Sequence, residues 1–215
     1  MKKYISVLIL LVSSLIVTAQ NTATDSKPAF EGPQLKSVGV GFSYFNPALD
    51  YWKDRTAYDL KGSFMPSLLL DASVLPYVNA RLAVSYFRTA AEITRSEYWG
   101  SEKVSQTFIP VSLSVYAPID LQVVTAYGGA GVDFMAITSK YDSPSSSQKG
   151  TGSATAGHIM LGAERKIDML VIGIEGKYIF GKFNQTLQLG ADGTEFVEPV
   201  KLNGLAIGLN FKYTF

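Results

Sequence analysis

The stretch Gly204-Leu-Ala-Ile-Gly-Leu-Asn-Phe-Lys-Tyr-Thr-Phe215 decides the fold. Its odd positions, Leu205, Ile207, Leu209, Phe211, Tyr213 and Phe215, are all apolar or aromatic. Its even positions, Gly204, Ala206, Gly208, Asn210, Lys212 and Thr214, are small or polar. Side chains alternate faces along a strand, so a period of two gives one greasy face and one polar or crowded face. In a soluble sandwich the greasy face would pack on a second sheet. Here the aromatics gather at one end, the pattern of a membrane-interface girdle.

The same period recurs upstream. Strands are expected at about 36–46, 64–75, 80–93, 105–117, 121–139, 153–166 and 169–183, with 204–215 as the eighth. Each reaches the ~9–11 tilted residues that cross a bilayer. Their connections alternate in length. Tight ones fall at 75–80, 118–121 and 166–168, and long polar ones near 47–63, 94–104, 140–152 and 184–200. Short turns at one rim and long loops at the other characterise outer-membrane barrels, and an even strand number puts both termini on the short-turn side, the periplasmic one.

Charge parity points the same way. Asp71, Arg81, Asp133, Glu164, Glu175, Lys177 and Lys212 all fall on the polar face of their strands. A lipid-facing Arg or Lys costs ~2–4 kcal/mol at mid-membrane, whereas charges in a narrow lumen can satisfy one another. Unpaired strand edges cannot exist in hydrocarbon, so the strands must close into a ring. Arg88 and Lys182 share the outward parity but lie toward the long-loop rim, where they can reach head groups. Pro66 and Pro110 fall within strands and remove ladder donors, so bulges are expected there. The fold expected is all-β: one closed antiparallel eight-stranded transmembrane β-barrel over residues 35–215.

Residues 1–19 read as a cleavable signal peptide: Lys2 and Lys3, an apolar run from Tyr4 to Val17, then Val17-Thr18-Ala19 before Gln20. The apolar run is short of the ~20 residues of a spanning helix. Residues 20–34 are polar and proline-bearing, a flexible lead-in. The formal charge is +1, and removing Lys2 and Lys3 leaves 17 basic against 18 acidic residues. A near-neutral chain gives no electrostatic case for nucleic acid. With no cysteine, disulfides, thiol catalysis and cysteine-bound metals are excluded.

Three features carry a family resemblance: the terminal Asn210-Phe-Lys-Tyr-Thr-Phe215, the strand Ala126-Tyr-Gly-Gly-Ala-Gly-Val-Asp-Phe134, and the leader ending at Gln20. On these, residues 35–215 resemble the small eight-stranded outer-membrane barrels of the OmpA, OmpX and OmpW kind, and look closest to Bacteroidetes-type porin-like or PorT-like barrels. The resemblance implies outer-membrane residence, contact with lipid and lipopolysaccharide, and a terminal signal read by the barrel-assembly machinery. Gly208, Phe211, Tyr213 and Phe215 are the positions that match such a signal, with Ala206 where a polar residue is usual.

Chemistry is sparse. His158 is the only histidine and faces inward, with Glu164 on the same face. Some barrels of this size are lipid A acyltransferases or deacylases using His with Ser, but no motif places a serine beside His158, so catalysis ranks last. The four inward carboxylates could form an oxygen-ligand cation site. Arg81, Lys177 and Lys212 match them, which favours mutual ion pairs filling the lumen, and no cofactor is expected. The glycines at 128, 129 and 131 form no phosphate loop, since no helix or Lys-Ser/Thr follows. The inward glycines either leave a thin channel or make room for Tyr116, Tyr127 and Phe87. Tyr51-Trp52 and Tyr98-Trp99, in long loops, read as belt residues or as anchors for a partner. The role expected is structural or surface-interacting. The alternatives are a narrow pore for ions or small hydrophobic molecules, or an accessory part in a secretion system with a partner bound through the long loops.

Overall fold

The computed structural model describes residues 33–49, 60–96, 100–144, 146–188 and 195–215. The leader at 1–19, all but the end of the lead-in, and both Tyr-Trp pairs lie outside the described residues. Strands β1 (Gln34–Pro47) and β2 (Ser63–Leu75) come first. β3 (Val78–Ser85) continues as β4 (Phe87–Ser96) after a break at Tyr86. β5 (Gly100–Asp120), β6 (Thr125–Ser143), β7 (Ser146–Ile167) and β8 (Leu170–Gln188) follow. β9 (Glu195–Lys201) continues as β10 (Gly204–Thr214) after Leu202 and Asn203. Every pairing is antiparallel, and β10 bonds to both β8 and β1, so the sheet closes on itself. With β3–β4 and β9–β10 each counted as one strand, the ring has eight.

The outside of this ring is oil. Phe64 is 74% exposed, Leu161 72% and Leu68 65%, whereas Asp133, Asp71 and Arg81 are at most 2% exposed. In water such a molecule would be inside out. In a bilayer it is the arrangement that leaves no charge in lipid and no backbone group unpaired. On β10 the exposed apolar residues run from Leu205 to Tyr213. Nine residues at ~3.3 Å each, tilted by ~40°, give a belt roughly 23 Å tall, close to the ~25 Å of outer-membrane barrels. Tyr44, Phe64, Tyr86, Phe134, Tyr178 and Phe180 are exposed along one margin of the belt, with Tyr77, Tyr213 and Phe215 at the other. Arg88 and Lys182 lie just beyond the first margin, exposed and outward, as their parity required.

Three tight connections share one rim: Leu75 pairs with Val78, Asp120 with Thr125, and Ile167 with Leu170. Tyr77 (φ 69°), Gln122 (φ 72°) and Asp168 (φ 55°) take the left-handed turn conformation there. The Gln122 amide donates to Asp120 Oδ1 at 2.9 Å. Both ends of the barrel reach the same rim, where the amides of Thr214 and Phe215 donate to the carbonyls of Met169 (2.8 Å) and Lys36 (3.1 Å).

Two expectations fail. The segments 94–104, 140–152 and 184–200, read as long loops, are mostly β-ribbon. β4 pairs with β5 out to Ser96 and Gly100, β6 with β7 to Ser143 and Ser146, and β8 with β9 to Gln188 and Glu195. A strand that runs past a bilayer is no longer held to one apolar and one polar face, so the alternation that reveals a strand in the sequence fades. At the tip of the β6–β7 ribbon, Asp142 is held by Lys140 (2.8 Å) and Ser147 (2.6 Å), which keep its carboxyl below the usual range.

The bulges expected at Pro66 and Pro110 are also absent. Phe42–Pro66 and Pro110–Met135 pair without a shift of register. The irregularity falls instead on Tyr86, which lies between the two prolines and interrupts its own strand. A proline lacks a donor but keeps its acceptor, and the Tyr86 amide still donates to the Pro66 carbonyl at 3.0 Å. Register shifts occur at Leu35/Ser37, Ser73/Leu75 and Thr94/Ser96, near strand ends.

Candidate functional site: the barrel lumen

All eight inward charged or ionisable residues named from parity lie in the lumen, and they divide into two clusters. The first is built on Arg81. Its Nε donates to Asp71 Oδ1 at 2.6 Å and its Nη2 to Asp71 Oδ2 at 3.2 Å, while Nη1 bonds Glu175 Oε2. Lys212 Nζ bridges Asp71 (2.9 Å) and Glu164 (2.6 Å). Tyr127 donates to Glu175 at 2.7 Å, and the Arg81 guanidinium lies 5.0 Å and 5.5 Å from the Tyr116 and Tyr127 ring centres. The partners come from β2, β3, β6, β7, β8 and β10, so the whole group is assembled only when the ring closes. Asp71 and Arg81 are direct cross-strand partners on β2 and β3, whereas Lys212 reaches Asp71 from β10.

The second cluster is built on Asp133. Its carboxylate accepts from His158 Nδ1 (2.9 Å), Lys177 Nζ (2.7 Å) and Ser112 Oγ. His158 Nε2 lies 2.8 Å from Ser114 Oγ. The expectation that no serine stands beside His158 is therefore corrected. The reason is register. Ser114 on β5 pairs with Gly131 on β6, which pairs with His158 on β7. Ser114 and His158 are thus two strands apart, roughly 9–10 Å between backbones, and they meet because Gly131 puts nothing between them. A Cβ on Gly131 would lie 2.7 Å from both Cε1 and Nε2 of the imidazole.

Other inward glycines are covered in the same way. The Tyr127 ring lies across Gly162, so this glycine makes room for an aromatic side chain, and Gly129 sits directly opposite Tyr116 in the sheet. Among the described residues no group of three or more histidine, aspartate or glutamate side chains is arranged to hold a metal ion.

Toward the ribbon side the lumen turns apolar, which parity alone did not show. Phe45, Phe87, Phe108 and Phe183 form a chain of ring contacts at 5.1, 5.6 and 5.9 Å between centres, joined by Leu49, Leu60, Val200 and Leu202. Between this plug and the ionic clusters lies a cavity of about 40 Å³. Met65 and Ala206 of the plug, Arg81, Glu175 and Lys177 of the clusters, and Ser112 and Ser114 line it. The positions resembling an assembly signal divide by face. Gly208 points inward against Ser43, where any side chain would collide. Phe211 is half-buried on the outward face, and Tyr213 packs edge-on against Phe215 at 5.7 Å.

No protein-family model and no curated relative matches the sequence. Solved structures match it in fold. A major outer membrane protein from Thermus thermophilus is 13% identical, over 84% of this chain and 99% of that one, with a TM-score of 0.54. The outer membrane protein AlkL, solved in DMPC lipid bilayers, is 15% identical over 89% of this chain and 94% of that one, with a TM-score of 0.51. Neisserial surface protein A is 14% identical over 86% of this chain and 100% of that one, with a TM-score of 0.48. At such identities the likeness concerns fold alone, and for the first two it agrees with a closed antiparallel barrel. By fold, then, this chain is a small closed eight-stranded antiparallel β-barrel, similar to solved outer-membrane barrels.

Proposed function

We propose that the protein is a non-conducting outer-membrane scaffold, which carries β-ribbons beyond the membrane for contact with a surface or secretion-system partner. The observation that supports this reading is the double closure of the lumen. An ionic cluster around Arg81 and Asp71 fills one level, and the four-phenylalanine plug fills another. An eight-stranded ring leaves just enough interior for side chains to fill, and a cavity of about 40 Å³ between the two levels is no channel. Lipid and lipopolysaccharide contact the belt, with Arg88 and Lys182 placed to meet head-group phosphates. The barrel-assembly machinery reads the terminal strand through Gly208, Phe211, Tyr213 and Phe215. Both termini face the periplasm, which leaves the ribbons outside the cell.

Planar-bilayer recording tests the reading. The refolded protein is expected to give no stepwise current above background. Regular openings would overturn the scaffold and favour the narrow pore for ions or small hydrophobic molecules.

A further inference from the structure

On the outward face of the wall, Lys182 and Lys201 are direct partners across β8 and β9. Like charges directly opposite each other are destabilising. Other outward cations have milder neighbours: Lys103 lies between Glu92 and Asp142 in the sheet, and Arg88 lies opposite Thr107. A second like pair, Lys140 and Lys149, stands out on the β6–β7 ribbon, where Asp142 is 2.8 Å from Lys140. Phe183, Val200 and Leu202 point into the plug, so Lys182 and Lys201 beside them point outward, and both are exposed. Thr155, also exposed, is the partner of Lys182 on β7. The row Thr155–Lys182–Lys201 has a fixed backbone. The Leu202 amide donates to the Gly181 carbonyl at 3.0 Å, and the Leu49 amide donates to the Lys201 carbonyl at 3.1 Å.

Position decides which anion suits this row. Lys182 lies next along β8 beyond Phe180 and Tyr178, exposed aromatics at the margin of the belt, the level at which lipid head groups lie. A terminal phosphate carries about −1.5 to −2 charge at neutral pH. Two ammonium groups match that charge, and the Thr155 hydroxyl adds a donor.

The belt beneath the lysines has a notch. Among the described residues three glycines, 128, 157 and 176, face outward in it. A Cβ on Gly128 would lie 3.1 Å from Leu161 Cδ2, and the Phe180 ring lies across Gly157. Gly176 is open: a Cβ there would meet only the Leu161 carbonyl oxygen, at 4.0 Å. Its partners on either side, Leu161 and Ile207, are 72% and 52% exposed and form the walls of the notch. A glycine inside a strand weakens it and often marks close approach by another molecule. From Lys182 to Gly176 is about 15 Å down a tilted strand, the depth of one leaflet's hydrocarbon.

We infer that Lys182, Lys201 and Thr155 bind the terminal phosphate of one membrane lipid, with an acyl chain of that lipid lying over Gly176. The inference rests on the reading that the belt is seated in lipid. It is separate from conductance, because the site is on the outer wall and a conducting lumen would leave it unchanged.

The test is native mass spectrometry of the full refolded protein in detergent, with folding checked by heat-modifiable electrophoretic mobility. The probes are phosphatidic acid, phosphatidylglycerol and diacylglycerol with identical acyl chains, so that only the head group differs. One phosphatidic acid is expected to stay bound per barrel, phosphatidylglycerol to bind more weakly, and diacylglycerol not to be retained. Lys182→Gln and Lys201→Gln are each expected to weaken phosphatidic acid binding about fivefold, and Lys182→Arg to preserve it. Lys149→Gln removes the same charge from the ribbon and is expected to change nothing. Gly176→Leu is expected to weaken binding by filling the notch. Equal retention of diacylglycerol, displacement of the lipid by an equal concentration of inorganic phosphate, or equal losses in Lys149→Gln and Lys182→Gln overturns the site. Undiminished binding in Gly176→Leu overturns the placement of the acyl chain. The head-group comparison uses wild-type protein and decides selectivity even if a variant fails to fold.

Discussion

Arg81→Met is expected to lower the unfolding free energy of the barrel by about 3–5 kcal/mol, the usual cost of leaving buried charge without its partner. Arg81 is 2% exposed and is shared by two carboxylates, Asp71 and Glu175, from opposite halves of the chain. Methionine fills most of the volume, so the effect isolates charge from packing. Once the guanidinium is gone, Asp71 keeps Lys212, which it shares with Glu164, and Glu175 keeps only neutral donors, Tyr127 and Asn210. Three carboxylates then face one ammonium in a space that excludes bulk water. The rings of Tyr116 and Tyr127 also lose the cation beside them, a smaller loss of about 0.5–2 kcal/mol. Adding Glu175→Gln to Arg81→Met is expected to recover part of the stability, because it removes one stranded charge. Urea unfolding in lipid vesicles, followed by the folded and unfolded bands on a gel, measures both. A loss under about 1 kcal/mol for Arg81→Met would mean that the lumen is wet enough to screen the group.

Ile207→Arg is expected to block membrane assembly, while Asn210→Arg is tolerated much better. The two positions are three residues apart on β10 and face opposite ways. Ile207 is 52% exposed, one outward position from the middle of the belt, so arginine there meets lipid at a cost of ~2–4 kcal/mol, less any relief from snorkelling. Asn210 is 7% exposed, points into the lumen, and already reaches Glu175 at 3.5 Å. A cation there would join a lumen in which four carboxylates outnumber the three cations Arg81, Lys177 and Lys212. The amount of heat-modifiable protein in the outer-membrane fraction reads the difference. Equal assembly of the two variants would contradict the assignment of faces.

The barrel is legible in the sequence because the bilayer enforces a period of two wherever a strand crosses it. Leu82 and Arg81, or Ile174 and Glu175, sort to opposite faces from one chain alone. Above the belt that enforcement stops. Gly150, Thr151 and Gly152 look like a loop by composition, yet they pair with Ser139, Thr138 and Ile137. The Phe45–Phe87–Phe108–Phe183 plug is hidden for a related reason, since these rings occupy inward positions that the belt leaves free to be polar or apolar. Prolines mislead in the opposite direction. Pro66 and Pro110 look like defects of their own strands, whereas the break falls on the strand between them.

The meeting of Ser114 with His158 is out of reach for a different reason. Parity puts both inward, but whether they touch depends on the register of two consecutive hairpins. One closes beyond the Asp120–Thr125 pair and the other beyond the Ser143–Ser146 pair, within a serine-rich run that gives no register. One residue of slip in either would point Ser114 or His158 at lipid. The available signal is Gly131, an inward glycine between them that leaves space for a ring from the next strand.

The absence of cysteine in the chain allows the sidedness of the barrel wall to be measured residue by residue. Single cysteines along β10 can be spin-labelled in the protein reconstituted into lipid vesicles. Labels at Leu205, Ile207 and Leu209 are expected to relax strongly with oxygen dissolved in the bilayer, and labels at Ala206, Asn210 and Lys212 weakly, with a clear period of two. A flat profile, or stronger lipid contact at the even positions, would contradict an apolar belt around an ionic lumen.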